Sequence, residues 1–422
     1  MMFLKLKAGA LQLTMFVVVV IALLLAVFII LIHTHKTFKI QTDFILETVN
    51  NTDKGINYAL QNTFQLNDTI SVNLNDENYK TLKIHRDYWG LFEKVTTVSN
   101  IKTNSFKKTA LVGAAQQEIN RTALYIEDNN RPLVLVGNTK IKGVAYIPKQ
   151  GIRTGNISGH SYYGEHLIYG KEKTSTKLPE LLPEIHQQIK TIASLYKGLD
   201  KDQFLDLSRS RIQQNSFYKP LQIIYDPLTI NLSEVSLTGY ILVQSETKII
   251  VDASSNLKDV VLIAPKIELR NHVEGGFQAF ATKEITVGKN CKLQYPSALV
   301  LKEINNTTKI VDNTKETPLI KIKKGSKIKG IITYLGSIKN YKSQVFIDEN
   351  VTITGEVYCD RNLELLGKVY GSVYTSGFVA NQSGSVYQNH IYNGTIDIDN
   401  LPQEYIGLPF KNAKKGIAKW LY

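Results

Sequence analysis

From Ala8 to Ile32 the chain carries no charged residue, and only Gln12 and Thr14 are strongly polar. At 1.5 Å rise per residue such a helix reaches about 37 Å, enough to cross a bilayer core. The exit reads IHTHKTF, without the small-x-small site of a cleavable secretory signal, so an anchor is expected. His33 and His35 suit the interface at its end. Beyond it Phe38, Ile45, Val49, Ile56 and Leu60 recur at helical spacing on one face, although Gly55 weakens the last turn. Residues 1–33 are therefore read as leader and transmembrane helix, and 34–62 as a juxtamembrane helical stalk.

A period of two then takes over. Residues 63–175 hold short strand-like runs, among them TISVNL, LKIHRDYWGLF, LYIED, PLVLVG and KIKGVAYI. Residues 176–215 change grammar and read as a helical insertion. Pro183 opens a helix with apolar face Ile185, Ile189, Ile192 and Tyr196, closed by Gly198, and a second short helix is expected over Asp202 to Arg211. Strand grammar resumes over 216–400, where Gly-x-Val/Ile starts at Gly355, Gly367, Gly371, Gly377, Gly384 and Gly394; Gly143, Gly239 and Gly330 fit the same phrase. Glycine can take corner angles closed to other residues, and the aliphatic two places on would point inward.

Many short strands, glycine corners and little helix predict a mainly β chain whose body is a parallel β-helix, with an antiparallel β-sandwich as the alternative. TKIKGVAYIP from Thr139 and SKIKGIITYL from Ser326 (326 − 139 = 187) then read as two rungs of similar geometry. Residues 401–422 form a basic tail in which Trp420 and Tyr422 can dock on the body.

Charge adds one candidate surface. The formal net charge is +13, from 50 basic and 37 acidic residues, which suits a nucleic acid, an anionic glycan or lipid headgroups, or else a lysine-rich solvated surface. The stretch from Ile320 carries Lys321, Lys323, Lys324, Lys327, Lys329, Lys339 and Lys342 without an acidic residue, and Tyr334 and Tyr341 could stack on sugars or bases. This stripe is the candidate anionic-ligand site, the alternative being an ordinary polar strand face. Cys291 and Cys359 are the two cysteines; they exclude a cysteine-built metal cluster and leave a disulfide between them open.

Catalytic fingerprints are missing: there is no G-x-S-x-G, H-E-x-x-H, P-loop or G-x-G-x-x-G motif. His160, Glu165 and His166 read as exposed loop residues. Asp348, Glu349, Glu356, Asp360 and Glu364 read as outward solvated positions, as do Asp397 and Asp399. No enzyme, cofactor or metal is expected.

One resemblance concerns the start. A short basic leader ending KAG, followed by ALQLTMFVVVV, resembles prepilins of the type IV pilus and type II secretion families. It implies cleavage between Gly9 and Ala10 and a continuous helix from Ala10 to about Gln61. Most pilins carry glutamate at the fifth mature position; here that place holds Thr14, which points to a minor component rather than a filament builder. A plain signal anchor is the alternative. The run LELLGKVYGSVYTSGFV is similar to bactofilin-like β-helix repeats.

The expected protein is single-pass in the plasma (inner) membrane, with a cytoplasmic N-terminus and a periplasmic or extracellular body. Its partners would be the lipid bilayer and an envelope protein assembly, in a structural or adhesive role. A module for acidic glycan or DNA is the second reading, and an anchored polysaccharide-active β-helix enzyme the third.

Overall fold

A single helix, α1, covers Ala8–Gln61 in the computed structural model, which describes residues 8–74, 79–116, 119–192, 199–303, 317–337, 340–411 and 413–422. The chain divides into two compact units. The first is Met1–Ala59 with Thr69–His85 and Thr96–Lys108, and the second is Leu60–Asp68 with Arg86–Val95 and Thr109–Tyr422.

In the first unit, every residue of α1 from Gly9 to Gln41 is exposed. The helix is long and apolar enough to cross a membrane. Further along, Thr48, Asn51, Thr52, Ile56 and Ala59 are buried, spaced three and four apart as one helical face. They lie in the same unit as the buried strand residues Leu82, Ile84, Thr97 and Ser99. Thr97 Oγ1 donates to Thr52 O at 3.1 Å, and Lys80 pairs with Glu47 at 2.6 Å.

This corrects the expected stalk. Ile45 and Phe38 are exposed, whereas Ile56 of the expected face is buried and Val49 and Leu60 are half-buried. Beside Ile56 the packed face is made mainly of small and polar residues. Thr48 and Thr52 satisfy their hydroxyls on Phe44 O and Val49 O, so burial costs them no hydrogen bond. Gly55 does not break the helix. A Cβ there would stand 2.9 Å from Thr97 Cγ2 and 3.1 Å from Leu82 Cδ1, so the missing side chain lets helix and strands approach.

The second unit is a parallel β-helix. Along most of the coil a strand pairs with its counterpart one rung on rather than with its sequence neighbour: Ile230–Leu232 with Lys248–Val251, that with Lys266–Leu269, and that with Glu284–Val287. This pattern excludes the β-sandwich. Ile249, Ile267 and Ile285 repeat one inward position at 18-residue intervals (267 − 249 = 18; 285 − 267 = 18), and a column of such positions fills the interior. Three faces result. The first runs through Lys327–Lys329, Thr352–Thr354 and Lys368–Tyr370. The second continues from these into Ile331–Tyr334, Glu356–Cys359 and Ser372–Thr375. The third holds the short strands Leu319–Ile322 and Val345–Ile347.

The glycine phrase has a physical basis at the corner between the first two faces. Gly330, Gly355 and Gly371 stack in register with φ of 147°, 148° and 153°, a region L-residues avoid. Two places on, Ile332, Val357 and Val373 are fully buried. Gly384 departs from the rule, since Val386 is exposed.

Rung order differs from sequence order. The strands Thr122–Ile126 and Lys140–Lys142 pair in parallel with Lys368–Gln382 and Thr395–Asp397, near the C-terminal end of the coil. Coiling restarts at Ile212–Asn215, paired with Ser236–Gly239. Residues 176–211 are thus a crossover between the two groups of rungs. Helix α2 covers Pro183–Thr191 and buries Ile185, Ile189 and, just past its end, Ile192. Tyr196 and Gly198 lie outside the described residues. Over Asp202 to Arg211 only the short 3-10 turn Lys201–Gln203 forms, and Ile212 already begins a rung.

The second face is covered on its outside. Leu242, Val261, Val300, Ile331 and Tyr374 cluster there with Trp89, Leu181, Ile185 and Leu421. Strands buried on both sides lose their alternation, as Ile241–Ser245 shows by being buried throughout. Within the expected basic tail, Lys415–Leu421 pairs antiparallel with the strand Asn104–Ala115, setting Trp420 opposite Ala110.

Candidate functional site

The lysine stripe is split by a corner of the coil. Lys321 and Lys323 belong to the third face, alternating with buried Ile320 and Ile322. After Gly325 (φ 76°) and the buried Ser326, Lys327 and Lys329 stand exposed on the first face around buried Ile328. The alternation follows the expected period of two, but the seven lysines do not form one patch. Lys324 at the corner is paired with Glu349 at 2.7 Å, and Lys321 lies 5.7 Å over the Phe346 ring. Tyr341 and Lys342 are exposed in the segment before Val345, and Lys339 lies outside the described residues.

Tyr334 corrects the proposed stacking role. It is fully buried in the interior and donates its hydroxyl to Glu303. Burial first, then that carboxylate, pushes its phenol well above the ordinary range. The cysteines are likewise inward. Cys291 and Cys359 are free, buried thiols, so no disulfide joins them, and burial raises both thiols above their usual value.

Of the carboxylates read as solvated, Glu356 and Glu364 are buried and Asp360 is half-buried. Glu356 accepts from Gln116 Nε2 and from Leu408 N at 2.5 Å, and burial lifts it to about 7. Asp360 accepts from Gly336 N at 2.9 Å and is also raised by burial to about 7. Glu364 accepts from Asn381 N at 3.1 Å and from its side chain. Each holds a backbone N–H of a neighbouring segment and so ties its strand to that segment. Asp397 is buried too, accepting from Asp399 N at 3.1 Å, while Asp399 pairs with Lys142 at 2.9 Å.

Among the described residues no group of three or more metal-type side chains gathers; His160 and His166 are exposed. A recess lined by Leu207, Arg211, Asn231 and Glu234 has its charges spent on an Arg211–Glu234 pair at 2.6 Å.

What the stripe does not show is a row running across the rungs. Strand register sets Lys327, Thr352, Lys368, Thr395 and Lys140 side by side on five consecutive rungs of the first face. Lys329, Thr354 and Tyr370 form the row beside it. Aligning the phrases SKIKG, VTITG, GKVYG and TKIKG would have exposed this row, since the lysine or threonine precedes the inward aliphatic in each. On the earlier rungs of the third face, by contrast, lysines are neutralised: Lys248 pairs with Glu268 at 2.5 Å and Lys266 with Glu284 at 3.9 Å.

No known protein family matches the chain, and no curated protein matches it. Among solved structures, the competence-associated pilin ComZ from Thermus thermophilus is similar over 85% of this chain and 88% of its own, at 9% identity and a TM-score of 0.24. A score that low defines no common fold.

Proposed function

We propose that the chain is a bilayer-anchored structural or interaction component of the cell envelope, of the minor pilin-like kind. Helix α1 carries this reading. Its apolar part, through Ile32, is exposed on every side, whereas the face from Thr48 to Ala59 is buried within a folded unit. An apolar helix surface of that extent without a protein partner belongs in hydrocarbon. Thr14, which stands where most pilins hold a charge, returns its hydroxyl to Leu11 O at 2.9 Å and so needs no partner inside the membrane. In this reading the leader is cut between Gly9 and Ala10, the N-terminus is cytoplasmic, and the β-helix faces the periplasm or the exterior.

Intact-mass measurement of the membrane-extracted chain, paired with protease treatment of spheroplasts, tests it. The expected result is a membrane-bound chain lacking residues 1–9, with its body digested from outside. A chain that retains Lys5 and Lys7 contradicts the pilin-like processing. A body protected until the cytoplasmic side is opened contradicts the topology.

A further inference from the structure

At its C-terminal rungs the first face of the β-helix carries a row of lysines with no acid to neutralise it, although Lys142, two places beyond Lys140, pairs with Asp399 at 2.9 Å. Lys327, Lys329, Lys368 and Lys140 are exposed and pair with no carboxylate among the described residues. Lys292, one rung before Lys327, marks the boundary, for it is held by Glu274 at 2.6 Å.

The spacing is regular because the backbone is. Lysine and threonine alternate along the row from Lys327 to Lys140. Adjacent parallel strands stand about 4.8 Å apart, so Lys327, Lys368 and Lys140 recur at about 9.6 Å along the coil axis. Thr352 and Thr395 place half-buried hydroxyls between them. Tyr370 lies beside Thr354 in the adjacent row, and Lys140 sits 5.3 Å over the ring of Tyr169. Charges in single file, hydroxyls between them and aromatic rings alongside match a sugar chain, whose ring faces stack on aromatics and whose hydroxyls exchange hydrogen bonds with threonine.

We infer that this face binds a linear anionic glycan bearing one carboxylate per disaccharide, laid along the coil axis with its carboxylates on Lys327, Lys368 and Lys140. The charge density decides against duplex DNA, which presents a negative charge about every 1.7 Å of axis and would leave most of its phosphates unmatched by a row this sparse. The inference concerns the β-helix alone and stands whether or not the leader is processed.

The test uses the full chain in detergent, with fluorescent hyaluronan oligosaccharides as the probe and duplex DNA of equal total charge as competitor. One variant removes the row, as Lys327→Gln with Lys368→Gln and Lys140→Gln. A second removes equal charge elsewhere, as Lys321→Gln with Lys323→Gln and Lys342→Gln. All six side chains lie at the surface, and circular dichroism checks that both variants stay folded. The expected outcome is salt-sensitive glycan binding that the first variant weakens by about tenfold or more, the loss of at least one charge-assisted contact. The second should change it by less than about twofold. Equal losses in both variants, DNA bound as tightly as the glycan, or no glycan binding at low salt each overturn the inference.

Discussion

Thr395 and Lys140 are in-register neighbours on adjacent parallel strands, although 255 positions separate them in the chain (395 − 140 = 255). Their pairing joins the first rungs in sequence to the last. It also places TKIKG four rungs from SKIKG in one column, through Thr352, Lys368 and Thr395. The same short phrase occurs twice because both copies do the same work at one corner of one coil.

The interior makes its own prediction. Val369 is fully buried between Ile353 and Ile396, while Lys368 beside it is exposed. Val369→Ala should destabilise the protein by about 1–3 kcal/mol through lost apolar contact and a residual cavity. Lys368→Ala should change stability by less than about 0.5 kcal/mol. Chemical denaturation measures both, and equal costs would contradict a one-faced strand.

Glycine at the corner is a separate requirement. A Cβ on Gly371 would stand 1.7 Å from Gly355 O, at φ 153°. Gly371→Ala should cost about 2–5 kcal/mol, since strain and overlap add. At Gly384 φ is 79°, and a Cβ added there would meet no atom within 4 Å, so Gly384→Ala should cost only about 1 kcal/mol. Thermal melts of the two variants distinguish these outcomes.

Much of this was legible in the sequence, and the failures have physical causes. Lys321 and Lys327 alternate with Ile320 and Ile328 because one side of each strand is solvated, so period two could be read there. Tyr334 defeated the same reading because Gly330 through Leu335 are all buried, and a strand covered on both sides carries no parity. The packed face of α1 was hidden for a related reason: Thr48, Asn51 and Thr52 are polar by composition, and two of them are neutralised by their own helix backbone. Glu356 gave no signal, because its burial depends on Leu408 and Gln116, distant in sequence. The members of the row from Lys327 to Lys140 could be found by aligning SKIKG, VTITG, GKVYG and TKIKG, but their order along the coil needed the rung pairing, which local pattern does not encode.

Glu356 sets a pH dependence. Its native carboxyl titrates near 7, raised by burial from the ordinary 4.5, so the native state keeps a proton that the unfolded chain releases. The sign follows: the contribution is fully present below about pH 4.5 and is lost as pH rises to about 7. For this group the loss is up to about 3 kcal/mol. Asp360, raised to about 7 as well, adds a loss of the same sign. Glu356→Gln should therefore flatten the fall in stability between these limits without abolishing it, as read by denaturant titrations at pH 5 and pH 8. A steeper fall in the variant would contradict the assignment.

Rung order underlies both the fold and the lysine row, and one cross-link tests it most directly. Parallel neighbours lie about 4.8 Å apart, within disulfide reach, whereas positions three rungs apart are separated by about 14 Å. Cysteines at Thr395→Cys and Lys140→Cys should join on mild oxidation of the folded full chain, with the linked peptides identified by mass spectrometry. The pair Thr395→Cys and Lys327→Cys, three rungs apart through Thr352 and Lys368, should stay reduced. Failure of the first pair to join in folded protein, or joining of the second, would contradict the stacking of the first rungs on the last.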